Sequence, residues 1–312
     1  MITAAPARAR TTEVAAGVHA HVPSAADDGR RPNNAGLVVG ADGRSLLIDT
    51  AATERRTRAL REEALRLASG PPHLLVNTHF HGDHAFGNHR FPEALVVAHE
   101  PTRTERATAG LQLTGLWPEV CWGDVRQTLP HLTFRNTLTL YVGGTRVELL
   151  HVGPAAHTTN DIVVWLPEQR VLFAGDVLMN GSAPFCLMGS VTGSLAAAGR
   201  LRALDAHTIV PGHGPVGGPE LIDANEEYLR RLADLAEQGV AAGLSPLDLA
   251  RETGTGPYGP PWPYDQATEA ELLPNLQRAY AELRGTPPGG PLDLDTLFQE
   301  LATAEDQPAC AA

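Results

Sequence analysis

Lysine is missing from this 312-residue chain: all 24 basic residues are arginines, set against 36 acidic ones. The formal net charge of −12 leaves little from which to build the basic face that a nucleic-acid backbone requires. Cysteine is scarce as well. Cys121, Cys186 and Cys310 lie far apart without C-x-x-C spacing, which argues against a disulfide framework or a thiolate zinc site. No window approaches the roughly 20 apolar residues of a membrane span. The opening run Met-Ile-Thr-Ala-Ala-Pro-Ala-Arg-Ala-Arg lacks the apolar core of a secretory signal. With 43% hydrophobic residues, the chain is expected to be soluble and cytoplasmic, long enough for one large or two ordinary domains.

Against these absences stands a concentration of metal-ligand residue types. His79, His81, Asp83 and His84 occur in Thr78-His-Phe-His-Gly-Asp-His84, followed by His157 in Ala-His-Thr, Asp176 in Ala-Gly-Asp and His213 in Pro-Gly-His-Gly-Pro. Each later residue sits among small residues at the end of an apolar run. Imidazole and carboxylate suit a borderline divalent cation, and this many exceed what one tetrahedral ion takes. Two metals sharing a carboxylate fit the set. Zinc is expected, with manganese or iron as alternatives. Any one of the other histidines (His19, His21, His73, His89, His99, His131, His151, His207) reads as an ordinary surface or core residue.

The order of elements repeats. Residues 35–49 alternate into a hairpin, a helix-like stretch follows over 52–68, and the strand Leu74-Leu-Val76 delivers the first histidines. In the second half a hairpin spans Asp161–Ala174 and ends at Asp176. A helix near 194–204 and the strand Thr208-Ile-Val210 then lead to His213. Asp49 and Asp176 are counterparts in this scheme, as are His79 and His213. The pattern predicts two sheets back to back with helices outside, and ligands gathered at strand ends. Residues 99–135 read as an insertion. Beyond Pro219, helices are expected near 220–241, 246–252, 267–284 and 291–303, separated by Pro- and Gly-rich breaks. The domains implied are 12–220 and a helical extension, 221–305, walling one side of the site.

The ligand residues, in order and context, resemble those of the metallo-β-lactamase superfamily, an α/β fold built as an αββα sandwich. The resemblance implies that His79, His81 and His157 hold one metal, that Asp83, His84 and His213 hold the other, and that Asp176 bridges them. Two cations at such a centre make hydroxide available near neutral pH and stabilise an oxyanion or enolate. Asp83 and Asp176 are the catalytic candidates, with Asp83 able to accept a proton. Asp49, Thr158 and Asp161 are expected to take the free N–H groups of ligand imidazoles; Asp49 could equally cap the next helix.

The stretches Asn77–His89, Leu113–Asp124 and Pro184–Val191 look more narrowly like those of metallo-β-lactamase-fold cyclases and thioesterases of aromatic (type II) polyketide biosynthesis. This implies intramolecular aldol closure of a second ring on a polyketide tethered to an acyl carrier protein, with thioester cleavage as a further step. Trp117, Trp122, Phe185 and Met188 would line the pocket, although packing is the simpler reading of the two tryptophans. Cys186 reads as a buried apolar residue, Arg55, Arg56, Arg58 and Arg61 as a solvated helix face, and Arg103, Arg106 and Arg126 as a patch for an acidic carrier. Other readings stay open: a general hydrolase of thioesters, lactones or β-lactams, and a mononuclear-iron oxygenase. No nucleic-acid or membrane partner is expected.

Overall fold

The computed structural model describes residues 10–23, 32–111, 114–115, 120–255 and 269–293. Its first sheet runs in chain order through β1 (Arg10–Ala15), β2 (Val18–Val22), β3 (Ala35–Val39), β4 (Ser45–Ile48), β5 (Leu74–Val76), β6 (Leu95–His99) and β7 (Leu132–Phe134). Pairing is antiparallel as far as β4 and parallel from β4 onward. The second sheet holds β8 (Thr137–Val142), β9 (Thr145–His151), β10 (Ile162–Leu166), β11 (Val171–Met179) and β12 (Thr208–His213). Its spatial order is β12-β11-β10-β9-β8, with β11 and β12 parallel.

Parallel neighbours need a crossover, and a helix supplies it in each half. Helix α1 (Glu54–Leu67) joins β4 to β5; its first turn is capped by Thr53, whose side chain accepts from Arg56 N. One turn, α2 (Gly82–Ala85), follows β5, and α3 (Glu100–Ala109) follows β6. Helix α4 (Val191–Ala203) joins β11 to β12 behind a Ser190 cap. Both halves therefore run hairpin, helix, parallel strand, as the sequence pattern implies. The stretch 99–135 is no mere insertion, because it contributes α3 and the strand β7.

Strands covered on both faces lose the alternation of a half-exposed sheet. All of β4 and β11 is buried, whereas β8 alternates. Between the sheets, Val38, Ile48 and Val76 meet Leu149, Val164 and Phe173. Leu60 and Ala64 of α1 cover the outer face of the first sheet, and Ala197 and Leu201 of α4 that of the second. This is the expected αββα sandwich. Arg56, expected in solvent, is buried on the α1 face that meets the sheet.

Among the described residues, three helices follow the sandwich: α5 (Glu220–Ala242), α6 (Pro246–Thr255) and α7 (Glu269–Leu283). The helix expected over 291–303 falls almost entirely outside the described residues. Helix α5 straddles the expected boundary at 221: Leu221 and Ile222 pack with the second sheet, while Tyr228, Leu232 and Leu235 pack with α6 and α7. Cys186 and Val191 join that second cluster, so the C-terminal helices share a core with the sandwich.

Candidate metal centre

All but one of the ligand candidates lie at a strand end or in the segment just beyond one. His79 and His81 follow β5, α2 carries Asp83 and His84, His157 lies between β9 and β10, and His213 ends β12. Asp176 lies within β11, where the pairing with β12 shifts register around Gly175. Gly175 has φ +51, and a Cβ there would sit 2.8 Å from Thr78, so glycine is needed for the bulge that re-aims Asp176.

These side chains form two clusters: His79, His81, His157 and Asp176, and Asp83, His84, Asp176 and His213. Asp176 belongs to both. Its Oδ2 lies 3.4 Å from Nε2 of His157, 3.4 Å from Nε2 of His213 and 3.8 Å from Nε2 of His79. His157 Nε2 and His81 Nδ1 are 2.9 Å apart, and His84 Nε2 and His213 Nε2 3.4 Å. Donors at about 2.0–2.1 Å around a tetrahedral ion stand roughly 3.3 Å from one another, so the spacings suit a cation at each focus. His79 Nε2 and Asp176 Oδ1 are buried without a hydrogen-bond partner, although Oδ1 lies only 3.0 Å from His84 Nε2. Stranding such atoms is costly, and a cation would satisfy them. The donor set therefore fits two divalent metals.

Electrostatics separates the clusters. Burial, reinforced by His157, lowers His81 to about 3, and burial with His84 lowers His79 well below the usual histidine range. Burial also opposes charge on His213, but Asp176 and Asp83 outweigh it and raise this group to about 9. His84 is raised in the same way, by Asp176, Asp83 and Asp49. Burial would raise both carboxyls; His84 and His213 overcome it and hold Asp83 and Asp176 below the carboxylate range. Asp83 is the most open of the second cluster, with 30% of its side chain exposed.

The imidazoles are oriented from behind. Asp49, at φ +59, accepts from Thr78 N and Oγ1, and its Oδ2 lies 2.9 Å from Nδ1 of His84. Thr78 Oγ1 meets His79 Nδ1 at 3.0 Å, and Phe185 O meets His157 Nδ1 at 2.7 Å. Met188 Sδ lies 3.2 Å from His81 Nε2. Thr158 and Asp161 behave differently from expectation. Asp161 accepts from Thr158 N and Oγ1, tightening the His157 loop without touching an imidazole. The Thr78 hydroxyl and the Phe185 carbonyl take the roles expected of them. Residue type signals nothing about a backbone carbonyl, whereas Thr78 was visible beside the first histidine.

Phe185 and Met188 thus border the first cluster. Trp122 packs edge-on to Phe86 at 5.9 Å, and Trp117 lies outside the described residues. Arg106 is no surface cation: it is 1% exposed, donates to Phe80 O at 2.9 Å and lies over the Phe86 ring. Of the expected basic patch, Arg103 bonds Pro130 O and Arg126 pairs with Asp124. Asn33 and Asn34 went unnoticed in the sequence. Asn34 donates to Pro211 O and Gly214 O, and Asn33 bridges to His213, tying the last ligand to the first half.

Several known proteins share this arrangement of elements. The metallo-β-lactamase from Pontibacter korlensis superposes with a TM-score of 0.59 at 24% identity, covering 72% of this chain and 99% of its own. FIM-1 from Pseudomonas aeruginosa, solved in a mono-zinc form, gives 0.56 at 23% identity, covering 72% and 96%. By sequence, a linear primary-alkylsulfatase of a Pseudomonas species is 27% identical over an alignment of 300 residues that covers 81% of this chain and only 56% of that enzyme. A hydroxyacylglutathione hydrolase of a Synechococcus species is 28% identical over 232 residues, covering 68% of this chain and 78% of the relative. The family profile described as the metallo-beta-lactamase superfamily matches residues 28–213, from just before β3 to the last candidate ligand. That match takes in more than half of the chain and all of the candidate ligands, and this chain belongs to the metallo-β-lactamase superfamily.

Proposed function

We propose that the protein is a two-metal enzyme acting on an acyl substrate, specifically a second-ring cyclase for an aromatic polyketide bound as a thioester to an acyl carrier protein. The observation that carries the two-metal reading is Asp176, whose carboxylate belongs to both clusters. His79, His81 and His157 would hold one cation, and Asp83, His84 and His213 the other. Two such cations supply a hydroxide near neutral pH and a Lewis acid for a developing oxyanion.

The chain's own groups support the rest. Ring closure requires a base for a methylene proton, a C–C bond to a carbonyl, and loss of water. Asp83, with part of its side chain exposed, would be the side chain to take and return that proton. Phe185 and Met188 would form the apolar wall against which the chain folds. Their segment, together with residues 77–89 and 113–124, carries the cyclase resemblance.

Plain hydrolysis of a thioester, lactone or β-lactam is the second reading. It is favoured by the sequence similarity to a hydroxyacylglutathione hydrolase and to the metallo-β-lactamase type 2 of Bacteroides fragilis, the latter 24% identical over 213 residues. Mass analysis after incubation with a carrier-bound, partly cyclised polyketide separates the two. Loss of water with the product still tethered, or released as a bicycle, supports the cyclase. Hydrolysis alone leaves the second reading. Metal analysis giving about one iron per chain would replace both with an oxygenase.

A further inference from the structure

Asn275, Arg278 and Glu282 lie three and four residues apart on α7, a spacing that puts them on one helix face. All reach to residues 184–192. Asn275 Nδ2 donates to Pro184 O at 2.6 Å, and its Oδ1 accepts from Cys186 N at 2.8 Å, gripping the peptide on both sides of Phe185. Arg278 donates twice to Leu187 O, at 2.9 and 2.7 Å, and once to Gly290 O at 2.9 Å. Glu282 accepts from Val191 N at 3.0 Å and from Thr192 Oγ1 at 3.0 Å. Asn275 and Arg278 are 1% and 2% exposed, so water cannot replace a lost bond.

The segment held in this way ends at the first cluster. Phe185 O and Met188 Sδ face His157 Nδ1 and His81 Nε2, leaving His157 Nε2 and His81 Nδ1 to face the metal position. The seating is close. A Cβ at Gly189 would come within 1.9 Å of Ala156 O and 2.6 Å of the His157 carbonyl carbon. Gly289 N, beyond α7, donates to Gly189 O at 3.1 Å. Among the described residues the second cluster has no such tie to α7: His84 is oriented by Asp49, just beyond β4.

We propose that α7 is a working part of the first cluster. By holding the Phe185 carbonyl and the Met188 thioether, Asn275 and Arg278 select which nitrogen of His157 and of His81 carries the proton and which faces the metal. Both are positioning residues, acting through segment 184–192. The proposal rests on the reading of the clusters as metal sites.

The test compares full-length wild type with Asn275→Ala, Arg278→Met, Arg278→Lys and Met188→Leu. Zinc affinities of the two sites are resolved by chelator competition, and imidazole ¹⁵N shifts of the zinc-loaded chain report the tautomers. Asn275→Ala and Arg278→Met are expected to weaken the first site about 10- to 100-fold and leave the second unchanged. In the same variants the tautomers of His157 and His81 become mixed, and Arg278→Lys, which keeps a donor, recovers part of the loss. Met188→Leu mixes His81 alone. Equal loss at both sites, or unchanged affinity and tautomers in a variant with native circular dichroism, overturns the proposal. Should Arg278→Met not fold, Asn275→Ala and Met188→Leu decide it by the same outcomes. A wild type that binds no zinc at the histidines sinks the metal reading instead, and the tautomer of metal-free His157, whose Nδ1 faces Phe185 O, still judges the role of α7.

Discussion

The two clusters meet at one carboxylate from opposite electrostatic starting points. In the first, burial keeps His79 and His81 neutral, and the groups behind the rings are a hydroxyl, a carbonyl and a thioether. In the second, Asp83, Asp176 and Asp49 hold His84 and His213 charged before any metal arrives. The first is poised to ligate with these rings as they stand. The second must give up protons to do so, and keeps its most open ligand, Asp83, toward solvent. On the proposed reading, proton handling would belong to the second cluster, and anchoring to the first.

Asp176→Ala breaks the comparison most severely, since it removes the group that both clusters share. Activity is expected to fall about a thousandfold or more, with both metals weakened and the circular dichroism native. Full activity in that variant would remove the bridging role. Asp83→Asn should cut only one way. Stoichiometry drops toward one metal per chain while the rate falls at least about a hundredfold, because the proton acceptor goes with the ligand. If metal is lost equally from both clusters, the division of labour is wrong.

Asp49→Asn leaves every ligand in place but takes the charge from behind His84. It should weaken the second metal more than the first, by about 10- to 100-fold in a chelator titration. The pH dependence gives the mildest contrast. His213 is raised from 6.5 to about 9, so its stabilising contribution to the metal-free chain is complete below 6.5 and lost as pH rises through 9. Metal binding needs this ring neutral, so affinity at the second cluster should rise about tenfold per pH unit per proton displaced across that window. His79 and His81, already neutral, impose no such slope on the first. Calorimetry in buffers of different ionisation enthalpy counts the protons released; none released at the second cluster would refute the charged state.

The ligands were legible because imidazole and carboxylate announce themselves by type, and the spacing of His79 to His84 puts four on one loop and turn. The paired halves were legible too, since hairpin, helix and strand differ in period. Contacts made by backbone, or across long separations, left no such mark. Phe185 O acts through a group every residue has, and Arg278 meets Leu187 from 91 positions away. Arg106 looked like one more surface arginine because the sequence gives no sign that the Phe80 and His81 carbonyls and the Phe86 ring would enclose it. Asp161 was placed beside His157 correctly in the chain, but its lone pairs go to the local turn instead.

The grip of α7 on residues 184–192 has a consequence for how the protein is made. Synthesis releases the last ligand, His213, well before Asn275, Arg278 and Gly290 leave the ribosome. Until they do, the segment carrying Phe185 and Met188 lacks the bonds of α7, and the first cluster lacks the fixed rings that favour a metal. Metal loading should thus be a late event in biogenesis, and a nascent chain stalled after residue 213 should carry every ligand yet bind zinc weakly.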